Sequence, residues 1–221
     1  PRDRLYLRHA LLLSLLGQGL GPDFTAVADP TPLRISVYAT AGDVQQHLTR
    51  PENRDRTLRA LEPLRVSRLW LEGRRGDEYV PPDTLNEIRA YLAERGIACA
   101  GGIATVPGQS FGLRQNSELG WLNWESPATQ RDIAGFFTEN AAVFTSLIVD
   151  DFYCTADTSP ASESARGNRS WGQYRRDLLV SLLEPMILRP ARAVRADVQL
   201  IFKYPQWYDR FHLFGYDPPR M

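Results

Sequence analysis

Two cysteines and three histidines in 221 residues leave little material for a metal centre or a disulfide framework. No CxxC pair and no His-rich spacing occurs, so the usual zinc patterns are missing. Cys99 and Cys154 fit either a single disulfide or two buried thiols. An excess of charge is lacking as well: 26 basic and 26 acidic side chains cancel, with no basic block, which argues against a nucleic-acid partner. No apolar run reaches the roughly 20 residues that cross a bilayer. Internal repeats and low-complexity tracts are absent, and no G-x-G-x-x-G follows the first strand pattern, so no dinucleotide or other cofactor is signalled.

What is present begins with a leader pattern. Arg2, Arg4 and Arg8 precede the apolar run from Ala10 to Leu16, and Ala26-Val27-Ala28 stands just before Asp29. Basic start, short apolar centre and A-x-A site make residues 1–28 read as a secretory signal peptide, with a mature domain over 29–221 that is secreted or periplasmic.

The mature part alternates strand and helix signals. Strands are expected at 33–39, 66–72, 97–105, 146–151 and 198–203, each apolar and rich in β-branched residues. Between them Leu58, Leu61 and Leu64 recur at near-helical spacing. Asp83 is expected to cap a helix carrying Leu85, Ile88 and Leu92 that ends at Gly96, and Ser126-Pro127 opens another. Ser170-Trp-Gly-Gln173 has the form of a capping box. Five such units imply a parallel sheet with helical cover. Long polar loops after the third and fourth strands favour a (β/α)8 barrel over a doubly wound sheet. A whole barrel takes about 250 residues, so the chain reads as the N-terminal five-eighths of one.

Polar residues gather where the strands end: Tyr38; Glu72 and Arg74; Asp150, Asp151 and Tyr153; Lys203, Tyr204 and Trp207. In a parallel barrel these meet at one mouth. Two adjacent carboxylates closing a buried strand carry a desolvation cost that calls for a function. Neighbouring strand residues point to opposite faces unless the strand bulges, so Asp151, nearer the strand's end, is assigned to the mouth, Asp150 to a supporting role, and Lys203 to holding an aspartate ionised. Trp121, Trp124, Trp171 and Trp207 follow strand ends, and indole faces suit sugar rings; Trp124 and Trp207 are the chosen platforms. Gly108-Gln-Ser-Phe-Gly112 imitates a nucleophile elbow, but no helical period follows it.

Three segments carry a resemblance: Ile148-Val-Asp-Asp-Phe-Tyr153; Gly167-Asn-Arg-Ser-Trp171 with Tyr174-Arg175; and Lys203-Tyr-Pro-Gln-Trp-Tyr-Asp209. Together they resemble secreted glycoside-hydrolase-type (β/α)8 barrels of a poorly characterised family. The resemblance implies a carbohydrate substrate, poly- or oligosaccharide, and a catalytic acid at the end of strand four, here Asp151 or Asp150. It adds Arg169 and Tyr153 as contacts to substrate or to the catalytic groups. Glycosidic cleavage needs a second carboxylate, for which Glu72 or a residue on a later strand qualifies. A carbohydrate-binding protein on the same scaffold, or a hydrolase whose aspartates hold calcium or magnesium, are the rival readings. Oligomeric state leaves no trace in the sequence.

Overall fold

β-Branched and apolar runs become strands here because each is buried on the face that meets helices. The computed structural model describes residues 33–221; the leader expected over 1–28 lies outside them. The first half comprises β1 (Ile35–Ala39), α1 (Ala41–His47), α2 (Pro51–Leu61), β2 (Val66–Glu72), a hairpin of β3 (Arg74–Arg75) and β4 (Glu78–Tyr79), α3 (Pro82–Ala93) and β5 (Ala98–Ile103). After it come α4 (Pro127–Val143), β6 (Ser146–Val149), α5 (Pro160–Arg166), α6 (Trp171–Leu183), α7 (Arg189–Val194), β7 (Gln199–Phe202) and α8 (Phe211–Phe214).

The main sheet has five strands in the order β1-β2-β5-β6-β7, all parallel. Each strand lies beside the next one in sequence, without the reversal of order that defines a doubly wound sheet. Consecutive neighbours of this kind form the wall of a (β/α)8 barrel, and the fold is that α/β arrangement. β1 and β7 are the two edges, so the wall is open.

Register separates the two faces. Ala39, Leu71, Gly101, Leu147 and Leu200 share one row, and Ile103, Val149 and Phe202 another. These rows join one core with Leu85, Ile88 and Leu92 of α3 and Ile133, Phe136 and Phe137 of α4. The opposite face carries Tyr38, Trp70 and Ala100, then Glu72, Gly102, Ile148 and Ile201 in register. It is the more open side, with Arg68, Ala98, Gln199 and Ile201 exposed. Helical cover on a single face is what a barrel wall requires.

Local signals set the helix starts. Ser126 accepts a hydrogen bond from the Thr129 amide with Pro127 in first place, and Ser170 accepts from the Gln173 amide, so that only the serine half of the capping box forms. The cap of α3 is Pro81, not Asp83, which lies inside the first turn, where its charge still favours the helix N-terminus. Gly96 follows that helix at φ +72°. The hairpin, α1 and α5 were not expected. Cys99 and Cys154 are both free thiols.

The two long loops are joined. Asp157 accepts from the Asn116 amide at 2.8 Å, and the Gln115 side-chain carbonyl accepts from Thr155 Oγ1 at 3.1 Å and the Ala156 amide at 3.0 Å. Ser110 is exposed in the first of these loops, where the Gly112 amide donates to Asp132 and no helix begins. No described helix is long and apolar enough to cross a membrane.

The core leaves no room at Gly101, where an added Cβ would lie 2.5 Å from Leu147 Cδ2 and 2.7 Å from Phe144 Cδ2. Gly101→Val should therefore lower stability by about 1–3 kcal/mol, the usual cost of overpacking, read as a fall in the urea midpoint at unchanged slope.

Candidate active site

Four strand ends present a polar group on the open face. Tyr38 and Glu72 lie on β1 and β2, and Asp150 and Lys203 each stand two residues beyond an open-face isoleucine, Ile148 and Ile201. The pairing continues past the strand ends, since the Asp150 amide donates to Ile103 O and the Lys203 amide to Val149 O. β5 supplies Gly102, where a Cβ would sit 2.7 Å from the Tyr38 hydroxyl oxygen. Its missing side chain is the room in which Tyr38 reaches across to Glu72.

Glu72 is fully buried and receives four bonds. Tyr38 Oη donates to Oε1 at 2.6 Å, the Ala41 amide to Oε2 at 2.9 Å, and Arg75 grips both oxygens, Nε at 2.9 Å and Nη2 at 2.5 Å. An isolated carboxylate here would cost several kcal/mol; the bidentate guanidinium offsets that. Burial and the Glu72 charge push the Tyr38 hydroxyl far above its ordinary value, so it stays a donor. Glu72 thus has no free lone pair facing a ligand, which corrects its assignment as a catalytic acid: it is the anchor of the site.

Arg75 Nη2 also donates to Asp150 Oδ2 at 3.1 Å, while Lys203 Nζ at 2.7 Å and the Asp151 amide at 3.0 Å donate to Oδ1. Lys203 is the only lysine in the sequence. It comes within 3.9 Å of Asp151 Oδ2 too. The two aspartates were expected on opposite faces, and the structure corrects this. Beyond the Asp150 amide the chain leaves the strand and turns tightly, with Phe152 N bonded to Asp150 O and Cys154 N to Phe152 O. Both carboxyls therefore reach Lys203.

Their environments differ. Burial alone would raise the Asp150 carboxyl, but its bonds from Lys203, the Asp151 amide and Arg75 hold it below the usual aspartate range. Burial and then the neighbouring Asp150 charge push Asp151 above that range. The side chain of Asp151 is 26% exposed against 11% for Asp150, so Asp151 is the more accessible of the two.

Aromatic rings continue the rim. Tyr204 packs on Phe211 and Tyr216, and Trp207 and Trp121 each stand edge-on to Phe214, at 5.5 and 5.6 Å between centroids. The Tyr216 hydroxyl bonds the Asp151 carbonyl and ties this segment to the carboxylates. Three expected contacts lie elsewhere. Trp124 is 1% exposed and donates Nε1–H to Cys154 O at 2.7 Å. Tyr153 is 2% exposed and donates to Leu179 O at 2.6 Å. Both are core residues without a face for a sugar. Arg169 bonds Ala165 O, Arg166 O and Asp177 in the turn between α5 and α6, with no bond to the carboxylate group. The residue the sequence reading missed is Arg75; it had chosen Arg74, which instead lies over the Tyr79 and Phe111 rings. Among the described residues no group of three or more His, Cys, Asp or Glu side chains is placed to hold a metal ion.

Residues 24–220 match the family described as probable glycosyl hydrolase, catalytic domain. The chain belongs to this family. No curated protein matches it. Similar solved structures include a GH20 exo-β-N-acetylglucosaminidase from Vibrio harveyi in complex with N-acetylglucosamine, at 13% identity and TM-score 0.44, covering 67% of this chain and 34% of that one. Another is a putative α-amylase from Salmonella typhimurium, at 15% identity and TM-score 0.42, covering 76% and 31%. The chain thus spans about a third of the length of either protein, and likeness at this level carries nothing about substrate.

The opposite shifts of the two aspartates have opposite consequences for stability. Asp150 titrates below its unfolded value of about 3.9, so its contribution is complete above that pH and is lost as pH falls through the folded value. Asp151 titrates above its unfolded value, so its ionisation weakens the fold as pH rises through the folded value. At pH 7 Asp150→Asn should destabilise by about 1–3 kcal/mol, the scale of lost charged hydrogen bonds, and Asp151→Asn should stabilise. Chemical denaturation of both variants at pH 7 checks the signs.

Proposed function

We propose that this glycosyl hydrolase-family chain carries the acid half of an O-glycosidic hydrolysis site acting on a poly- or oligosaccharide, with Asp151 as general acid. The observation that carries the reading is the pair of adjacent carboxyls in unequal settings, Asp150 held by three donors and Asp151 more exposed, the arrangement by which two like groups take different roles. Asp151 gives its proton to the glycosidic oxygen as the bond to the anomeric carbon breaks. Ionised Asp150 faces the positive charge that develops on the sugar ring and stabilises it.

A further carboxylate attacks the anomeric carbon or takes a proton from the attacking water. Glu72 is too enclosed for this. Asp150, held by three donors, is a better stabiliser of charge than a nucleophile. We place the attacking group on a barrel strand outside the five described. Lys203 contributes its remaining N–H bonds to sugar hydroxyls, and Trp207 and Tyr204, with Trp121 and Phe214 beside them, offer ring faces to the glycan. With Lys203 and Arg75 already neutralising Asp150, a divalent cation finds little negative charge left, which disfavours the metal-dependent alternative.

The basic, apolar and A-x-A order of the leader supports export to the periplasm or beyond. N-terminal sequencing of the exported protein should begin at Asp29; retention of the leader on a cytoplasmic protein would refute this.

A panel of p-nitrophenyl glycosides and soluble polysaccharides, scored by released chromophore and reducing ends, tests the activity in the full-length protein. Asp151→Asn should lower kcat/KM on natural linkages by about 10²–10⁴, the usual value of a general acid. It should lower it less on aryl glycosides, whose leaving group needs no proton. Trp207→Ala should raise KM on polysaccharide while sparing the small aryl substrates. A wild type that retains a polysaccharide in affinity electrophoresis yet cleaves nothing would favour a binding-only role.

A further inference from the structure

We propose that Arg75 is a positioning residue of this site: by bridging Glu72 and Asp150 it fixes the Asp150 carboxylate against β2, and of the two aspartates it pairs with Asp150 alone. The proposal deepens the glycosidase reading and rests on it for the kinetic measurement alone. Its geometry is specific. The two hydrogens of Nη2 serve two carboxylates, Glu72 Oε1 at 2.5 Å and Asp150 Oδ2 at 3.1 Å, while Nε holds Glu72 Oε2 at 2.9 Å. Glu72 closes β2, which is paired on both sides, so the guanidinium is anchored to an interior strand of the sheet. A lysine could supply the charge at this place but not the planar fork.

Arg75 differs from Lys203 in how it is held. The groups facing Asp150 are Arg75 from the hairpin, Lys203 beyond β7, Asp151 on its own turn, Glu72 on β2, Tyr38 on β1 and Tyr216 near the end of the described chain. Lys203 stands near both aspartates, at 2.7 and 3.9 Å, and its side chain is 53% exposed. It bonds Asp150 and lies near Asp151 without a hydrogen bond, so it favours ionisation of both, and of Asp150 the more. Arg75 is ion-paired with Asp150 and not with Asp151 among the described residues. Arg75 therefore adds, through an anchored fork, to the preference for an ionised Asp150 that Lys203 and the Asp151 amide also support.

The test uses the full-length protein with Arg75→Lys, Arg75→Gln/Glu72→Gln, and Glu72→Gln alone as the control. The double variant avoids leaving a buried Glu72 charge unpaired. Carboxyl ¹³C NMR titration should show Asp150 moving up in pH toward Asp151 in the double variant, the two then titrating as a coupled pair, with Arg75→Lys intermediate. An aryl glycoside that the wild type cleaves should show the acid limb of its kcat/KM profile moved to higher pH and kcat reduced at least tenfold, with KM little changed. A folded double variant in which Asp150 titrates as it does in Glu72→Gln would overturn the proposal. If the NMR shift occurs but the wild type cleaves no glycoside, Arg75 keeps its role and the glycosidase reading falls.

Discussion

The fully buried charge of Glu72 is the constraint from which the site is built. A carboxylate with no access to water is stable only if its lone pairs are filled, and here four donors come from three places: β1 through Tyr38, the start of α1 through Ala41, and the hairpin through two nitrogens of Arg75. Satisfying that one group fixes the hairpin against the sheet. Arg75 is thereby left with a hydrogen for Asp150, two strands away. A relay of alternating charge, Glu72, Arg75, Asp150, Lys203 and Asp151, then runs along the strand ends. Each member restrains the next, so the arrangement is set before any ligand arrives, as electrostatic stabilisation of a transition state requires.

Much of the fold could be read from the sequence because strand burial leaves a direct mark. The run Val66–Glu72 was placed to the residue, and the others to within a few positions, since apolar runs bounded by glycine and polar loops have few alternatives. The barrel order followed from long loops at strand C-termini and from the missing dinucleotide fingerprint. Short elements escaped. α1 depends on Thr40 and Asp43 forming a reciprocal cap, and the hairpin on pairing of only two residues per strand; neither carries a period long enough to recognise.

The site was legible where a residue's place depends on strand phase. Tyr38, Glu72, Asp150 and Lys203 meet as expected, and Lys203 holds Asp150 as expected. It was illegible where a loop decides. Trp124 and Tyr153 stand in polar loop segments of the sequence, yet the loops fold inward and the two rings meet edge to face at 4.9 Å. Arg75 and Arg74 are equivalent in sequence, and only the hairpin turn, with Gly73 before it and Gly76 at φ +61°, aims one at Glu72 and the other at two aromatic rings. Polarity marked the segment; the turn chose the residue.

The solitary lysine has a consequence of a chemical kind. Within these 221 residues every other basic side chain outside the histidines is arginine, whose guanidinium stays protonated and reacts poorly with acylating reagents. Acetylation or carbamylation of a basic side chain in this sequence thus has one target, and that target is the cation between the two aspartates. Such a modification would remove a charge from the mouth and spare the Arg75 fork, turning an ordinary surface lesion into a lesion of the site itself.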